Sequence, residues 1–232
     1  VRGTAIAAIA LLGCSFSKSA PPDPAAPDAG AASDADLPAD GAAADAPSGD
    51  AIIEQIRTLQ QTADDVVAPG QNFPCDGESG QEYGMTWYRA IALSDYGITE
   101  TLRITSVSFG VQGSSASSPV AVAVGSYAGA IGGSTIDLSQ VTTLASVQAA
   151  PASSGIQTVA IAATIPAGGN FVLSVAAPDE PPGGTFVIGS TIAAEDHPAY
   201  LTSTTCVIQK PETVGAAGAT GSVILYATGE VP

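Results

Sequence analysis

The chain has 232 residues and a formal charge of −16, with 6 Lys plus Arg against 22 Asp plus Glu. Neutralising phosphates takes clustered basic residues, which this chain lacks, so nucleic acid is excluded as a partner. The same acid excess repels anionic lipid headgroups, so membrane attachment has to come from something other than a polybasic patch.

The first element is an apolar run, Thr4 to Leu12, preceded by Arg2. As a helix it spans about 14 Å, far short of a hydrocarbon core of about 30 Å. It fits a signal peptide over residues 1–13 rather than a membrane span. The run ends in Leu11-Leu12-Gly13-Cys14, which resembles the lipobox of bacterial lipoproteins. That resemblance implies cleavage after Gly13, diacylglycerol on the Cys14 thiol and an acyl chain on the new N-terminus. Two or more chains are what stable anchoring requires. Ser15 stands where Asp would imply retention at the inner membrane, so the expected location is the outer membrane or cell surface.

Residues 14–50 carry this cysteine and then a stretch of Ala, Pro, Asp, Gly and Ser, with seven aspartates from Asp23 to Asp50. Such a segment cannot bury enough apolar surface to offset its ordering entropy, and a disordered linker is expected. As a flexible coil it reaches about 30–36 Å. Next, Ile52, Ile56 and Leu59 recur at helical spacing behind Asp50 as an N-cap, which predicts a short helix within 51–69.

From Gly70 onward, short runs rich in Val, Ile, Thr and aromatics alternate with Gly, Pro, Ser and Asn, the pattern of an all-β domain over 70–232. Strands are expected near 86–93, 101–111, 120–127, 141–149, 158–165, 171–176, 185–190, 200–203 with 206–209, and 222–228. In "TLRITSVSFGV" the apolar parity switches between Leu102/Ile104 and Val107/Phe109/Val111, so a bulge is expected around Thr105–Ser106. About nine antiparallel strands predict an antiparallel β-sandwich, a jelly roll first and a plain Greek-key sandwich as the competitor. With Cys14 lipidated, Cys75 and Cys206 remain, and in an exported chain they are expected to form a disulfide.

The blocks "TWYRAIALSDYGI", "ITSVSFGV", "PAGGNFVLSV", "FVIGS" and "PAYLTSTTC" resemble a widespread β-sandwich domain of secreted and surface-attached bacterial proteins. The resemblance implies a sandwich fold and a surface location, and no defined activity comes with it.

Chemistry-bearing residues are sparse. The single histidine, His197, follows Glu195 and Asp196, but no G-x-S-x-G elbow accompanies it, and it reads as a loop residue before a proline. No catalytic residue is therefore expected. Asp76, Glu78 and Glu82, with Asp179 and Glu180, offer an oxygen-rich candidate calcium site whose spacing does not match the EF-hand loop. Trp87, Tyr88 and Arg89 are the candidate ligand-binding residues. One ring of the Trp–Tyr pair must face outward and offers a stacking surface for a sugar, while Arg89 shares the parity of Trp87 and is expected to pair with Glu82, Asp95 or Glu100. The expected function is a non-catalytic, lipid-anchored surface protein presenting a β-sandwich binding or adhesion module. A carbohydrate-binding module with structural calcium is the alternative, and a hydrolase or hydrolase accessory the third reading. The ligand expected at the surface is a carbohydrate or a protein.

Overall fold

A computed structural model describes residues 54–71, 75, 83–116 and 118–232. The signal peptide, Cys14, the linker and the acidic residues Asp76, Glu78 and Glu82 lie outside the described residues.

Among the described residues twelve strands follow one another: β1 (Gln55–Leu59), β2 (Met85–Ala92), β3 (Leu102–Ser114), β4 (Val120–Tyr127), β5 (Val141–Ala149), β6 (Gly155–Ile165), β7 (Asn170–Ala177), β8 (Phe186–Thr191), β9 (Ala199–Ser203), β10 (Ile208–Thr213), β11 (Ser222–Val223) and β12 (Leu225–Val231). All pairings are antiparallel. In the first sheet β1 pairs β12, β12 pairs β3, and β3 pairs β6; β8 continues the line of β12 along β3 and carries β11. The second sheet runs β10-β9-β2-β7-β4-β5. Without β8–β11, the order β1-β12-β3-β6 faces β2-β7-β4-β5, and the chain crosses between sheets at every step except β4 to β5. That is the jelly-roll winding of two Greek keys.

Alternation along each strand builds the core. Val120, Val122 and Val124 of β4, Phe171, Leu173 and Val175 of β7, and Trp87 and Ile91 of β2 meet Ile104, Val107, Phe109 and Val111 of β3 in one buried cluster. Its parity switch is reconciled as expected. Between Ile104 and Ser106 the register shifts against β6, and between Thr228 and Gly229 it shifts against β12, leaving Thr105 as the extra residue on β3. Where β3, β8 and β12 converge, Gly110 faces Gly189 so closely that a Cβ on Gly110 would lie 2.9 Å from the Gly189 Cα. Cys75 and Cys206 are joined in a disulfide, with Cα atoms 5.9 Å apart and a sequence separation of 131.

The helix expected within 51–69 is not formed: Gln55–Leu59 is strand β1, paired residue for residue with Leu59↔Ala227 to Gln55↔Val231. Ile52 lies outside the described residues; Ile56, counted in the same helical stripe, is 75% exposed, and Leu59 enters the core. An isolated helix of this length is marginal, whereas the open edge of β12 satisfies the backbone of 55–59 at once. Beyond β1, residues 60–68 run beside the end of β8 and the stretch after it, with Ala63 N–H bonded to the Ala194 carbonyl, Asp196 N–H to the Gln61 carbonyl and Ala68 N–H to the Ser190 carbonyl.

Candidate functional site

Strand β2 sorts the three adjacent candidates by parity. Met85, Trp87, Arg89 and Ile91 point between the sheets, so Trp87 is 4% exposed and lies with its ring centroid 5.9 Å from that of Phe186. Trp87 and Arg89 are therefore not surface ligand residues. Tyr88 alone of the three stands on the outer face of the second sheet, half-buried, with its hydroxyl 3.3 Å from that of Thr202 on β9.

The ladder registers lay out that face. One row crosses the sheet as Tyr200, Tyr88, Ser174, Ala123 and Ser146, and the next as Thr202, Thr86, Ala176, Ala121 and Gln148. Every one of these side chains is uncharged. The whole stretch from Ile104 to Pro178, which supplies β4 to β7, contains Asp137 as its one charged residue. From Tyr88 to Ser146 the row spans three interstrand spacings, about 14 Å.

One end of the face is walled. The connection between β4 and β5 folds back over Ala90, Tyr127, Val172 and Tyr200, pressing Ile131 and Ile136 against them. Tyr200 donates from its hydroxyl to the Gly133 carbonyl at 2.8 Å, Asn170 Nδ2 donates to the Gly129 carbonyl at 3.2 Å, and Thr135 Oγ1 donates to the Pro211 carbonyl. Asp137 anchors the far end of the connection: its carboxylate accepts from the Ser139 N–H at 3.0 Å and hydroxyl at 2.7 Å and from Gln140 Nε2 at 3.0 Å, which holds its pKa below the ordinary value. Glycine is required at Gly129, because a Cβ there would meet the Tyr127 ring at 2.4 Å, and Gly132 has φ +82° beside the His197 ring. The connection covers Tyr200 and touches Tyr88, and it leaves Ser174, Ala123 and Ser146 and the Thr86 row open, so the face is a floor against a wall.

Beneath the edge of this face lies a polar knot that the chain order conceals. Arg89, fully buried, donates to Glu195 Oε2 at 3.0 Å, to Gln61 Oε1 at 3.3 Å, to the His197 carbonyl at 2.9 Å and to the Val223 carbonyl. Its partner is thus Glu195 in place of Asp95 or Glu100. Burial lowers the Arg89 pKa from its ordinary value, and the Glu195 charge and hydrogen bond oppose that. Nearby Tyr96 is pushed up to about 12, chiefly by burial and against the pull of Arg89. The Arg89 Nε and the Tyr96 hydroxyl are buried atoms without a hydrogen-bond partner among the described residues.

His197 Nε2 lies 3.1 Å from Asp95 Oδ2, while Nδ1 sits against Gly132. The ring meets Asp95 from the far side of the sandwich end rather than its neighbour Asp196, and no described hydroxyl is hydrogen-bonded to it. The pair fastens the loop before β9 onto the Leu93–Tyr96 turn. Asp179 and Glu180, from the candidate calcium set, each serve a backbone donor: Asp179 Oδ1 accepts from Gly84 N–H at 2.7 Å, and Glu180 Oε1 accepts from Ser118 N–H at 3.2 Å. Among the described residues no group of three or more metal-ligating side chains comes together. A separate groove of about 770 Å³ opens on the side of the sandwich, lined by Thr105, Leu144, Ile161 and Ala162 among others. Strands β3, β5 and β6 each carry an extra residue there.

No protein-family model matches the chain, and no curated protein matches it. Among solved structures, one that is similar is the crystal structure of the cysteine protease and lectin-like domains of Cwp84, a surface layer associated protein of Clostridium difficile. The identity is 12% and the TM-score 0.44, over 66% of this chain and 33% of that one. The chain therefore spans about a third of that protein's length.

Proposed function

We propose that this is a non-catalytic, lipid-anchored protein of the bacterial surface whose sandwich is a binding module, with the outer face of the second sheet as its contact surface. The observation that carries the reading is the floor around Tyr88: an uncharged strip on a strongly acidic chain, left open beside a connection that covers Ala90, Tyr127, Val172 and Tyr200. Solvated sheet faces in a protein of this charge ordinarily carry Asp, Glu or Lys, and their absence from this strip marks a surface kept free for contact. The lipobox at Cys14 supplies the anchor, the acidic linker the reach, and the Cys75–Cys206 disulfide agrees with folding in an exported, oxidising setting.

Two measurements test this. Mass spectrometry of the mature N-terminus should find Cys14 acylated, and an unmodified thiol there removes the anchor. When the full chain is displayed on cells, adhesion to immobilised matrix polymers and proteins should be lost in Ala123→Glu, which plants a charge mid-floor without touching the core. Adhesion undiminished in that variant, with an unchanged melting temperature, overturns the choice of face.

A further inference from the structure

We infer that the ligand of the Tyr88 face is a neutral polysaccharide, laid across the strands from Tyr88 toward Ser146 with its end against the β4–β5 connection. This rests on the binding-module reading above and assigns its ligand class.

The side chains on the floor restrict the chemistry. No cation stands on the rows from Tyr88 to Ser146 and from Thr86 to Gln148, and Lys210 lies off them on β10, lining a cavity with Pro211 and the stretch from Thr135 to Ser139. A polyanion laid along the rows, whether an acidic glycan, a phosphate chain or a nucleic acid, therefore finds nothing there to neutralise it and is repelled by the chain as a whole. An acidic or basic peptide likewise lacks a charged counterpart on these strands. A protein partner of ordinary affinity is anchored by large aromatic or Arg residues in apolar pockets, and the floor beyond Tyr88 offers alanine, serine and threonine instead. A lipid surface requires a broad apolar patch, which the interleaved hydroxyls interrupt.

What remains is a ligand that is uncharged, extended and rich in hydroxyls, with apolar C–H faces. Ser174 and Ser146 in one row and Thr86 and Thr202 in the next present hydroxyls, each both donor and acceptor. Ala123 and Ala176 between them keep the floor low enough for a ring to lie flat. The Tyr88 ring supplies an apolar surface whose own hydroxyl is steadied by Thr202. The row is about 14 Å long, enough for several linked rings rather than one, and it is open at the Ser146 end, so it suits a polymer.

The test is affinity electrophoresis and titration calorimetry of the full chain with soluble neutral polysaccharides (a β-glucan, xylan, mannan and dextran) and with two polyanions, heparin and polygalacturonate. Retardation by at least one neutral polymer and by neither polyanion is expected. Tyr88→Ala should weaken that binding at least tenfold, and Tyr88→Phe, which keeps the ring, by less than threefold, with both variants melting like the parent. Binding to the polyanions alone, binding unchanged in Tyr88→Ala, or no binding to any neutral polymer overturns the assignment. If none of the neutral polymers binds yet matrix adhesion is still lost in Ala123→Glu, the face is a contact surface for another ligand. The binding-module reading then stands while this one falls.

Discussion

The guanidinium of Arg89 meets the carboxylate of Glu195 at 3.0 Å inside the sandwich, across 106 residues of sequence. The pair and the Gln61 and Val223 bonds beside it tie four separate segments at one point. Removing one partner of a buried pair strands the other, which costs more than the pair itself contributes. Glu195→Ala strands a fully buried guanidinium and should therefore lower stability by about 3 kcal/mol, while Arg89→Met strands a carboxylate that is 24% exposed and can hydrate, and should cost less. Urea unfolding of the two variants checks the order; equal midpoints would show that the charge is not what matters.

The disulfide closes a loop of 131 residues. In the chain-entropy treatment a loop of that length contributes about 5 kcal/mol, a model-dependent figure. Cys75→Ser should shift the thermal midpoint down by more than any surface substitution, and reduction of the parent should reproduce the shift. Intact mass rising by about 2 Da on reduction identifies the bond.

Tyr96 should remain protonated long after an ordinary tyrosine has ionised. Its pKa is raised from 10.0 to about 12 in the fold. The folded state therefore holds this proton more tightly than the unfolded state. The resulting stability is complete below about pH 10 and is lost as pH rises from 10 to 12. Absorbance titration of the phenolates should show a late-titrating group that disappears in Tyr96→Phe. The alkaline fall in stability should be shallower in that variant.

Gly110 and Gly189 should not accept side chains. A Cβ at either position meets the other's backbone at 2.9 Å or less, so Gly110→Ala must push β8 away from β3 and lower stability by a few kcal/mol, on the order expected for overpacking. Val207 is the opposite case. It holds φ +64° while 77% exposed, a conformation unfavourable for a β-branched residue. Val207→Gly should therefore raise the melting temperature by a few degrees, a gain of about 1 kcal/mol.

Most strands were legible because half-buried antiparallel strands write their burial into alternate residues: Val120, Val122 and Val124, or Phe171, Leu173 and Val175, announce the core face directly. The bulge at Thr105 was legible for the same reason, as a switch of parity. Strand β1 was not, since Gln55 to Thr58 are exposed and its identity comes from β12, some 170 residues later in the chain. Arg89 shows a different limit. Its shared parity with Trp87 was legible but the face that parity takes was not, because a charged residue inside a sandwich is stable only with partners, and Gln61, Glu195 and the Val223 carbonyl come together only in the folded chain. The candidate site was half legible: the Trp87-Tyr88 pair had to split between faces, while the strip of small side chains beside Tyr88 exists only through the pairings of four strands.

The way the chain enters the sandwich has a mechanical consequence. A pull entering at Glu54 first loads the ladder between β1 and β12, an edge strand that can peel away. Slack can then be drawn only as far as Cys75, where a covalent crosslink passes the tension to Cys206, next to β9 and the Tyr88 face. Load between Glu54 and the second sheet therefore passes through sulfur as well as through hydrogen bonds, so the domain can yield at its β1 edge while the second sheet stays paired.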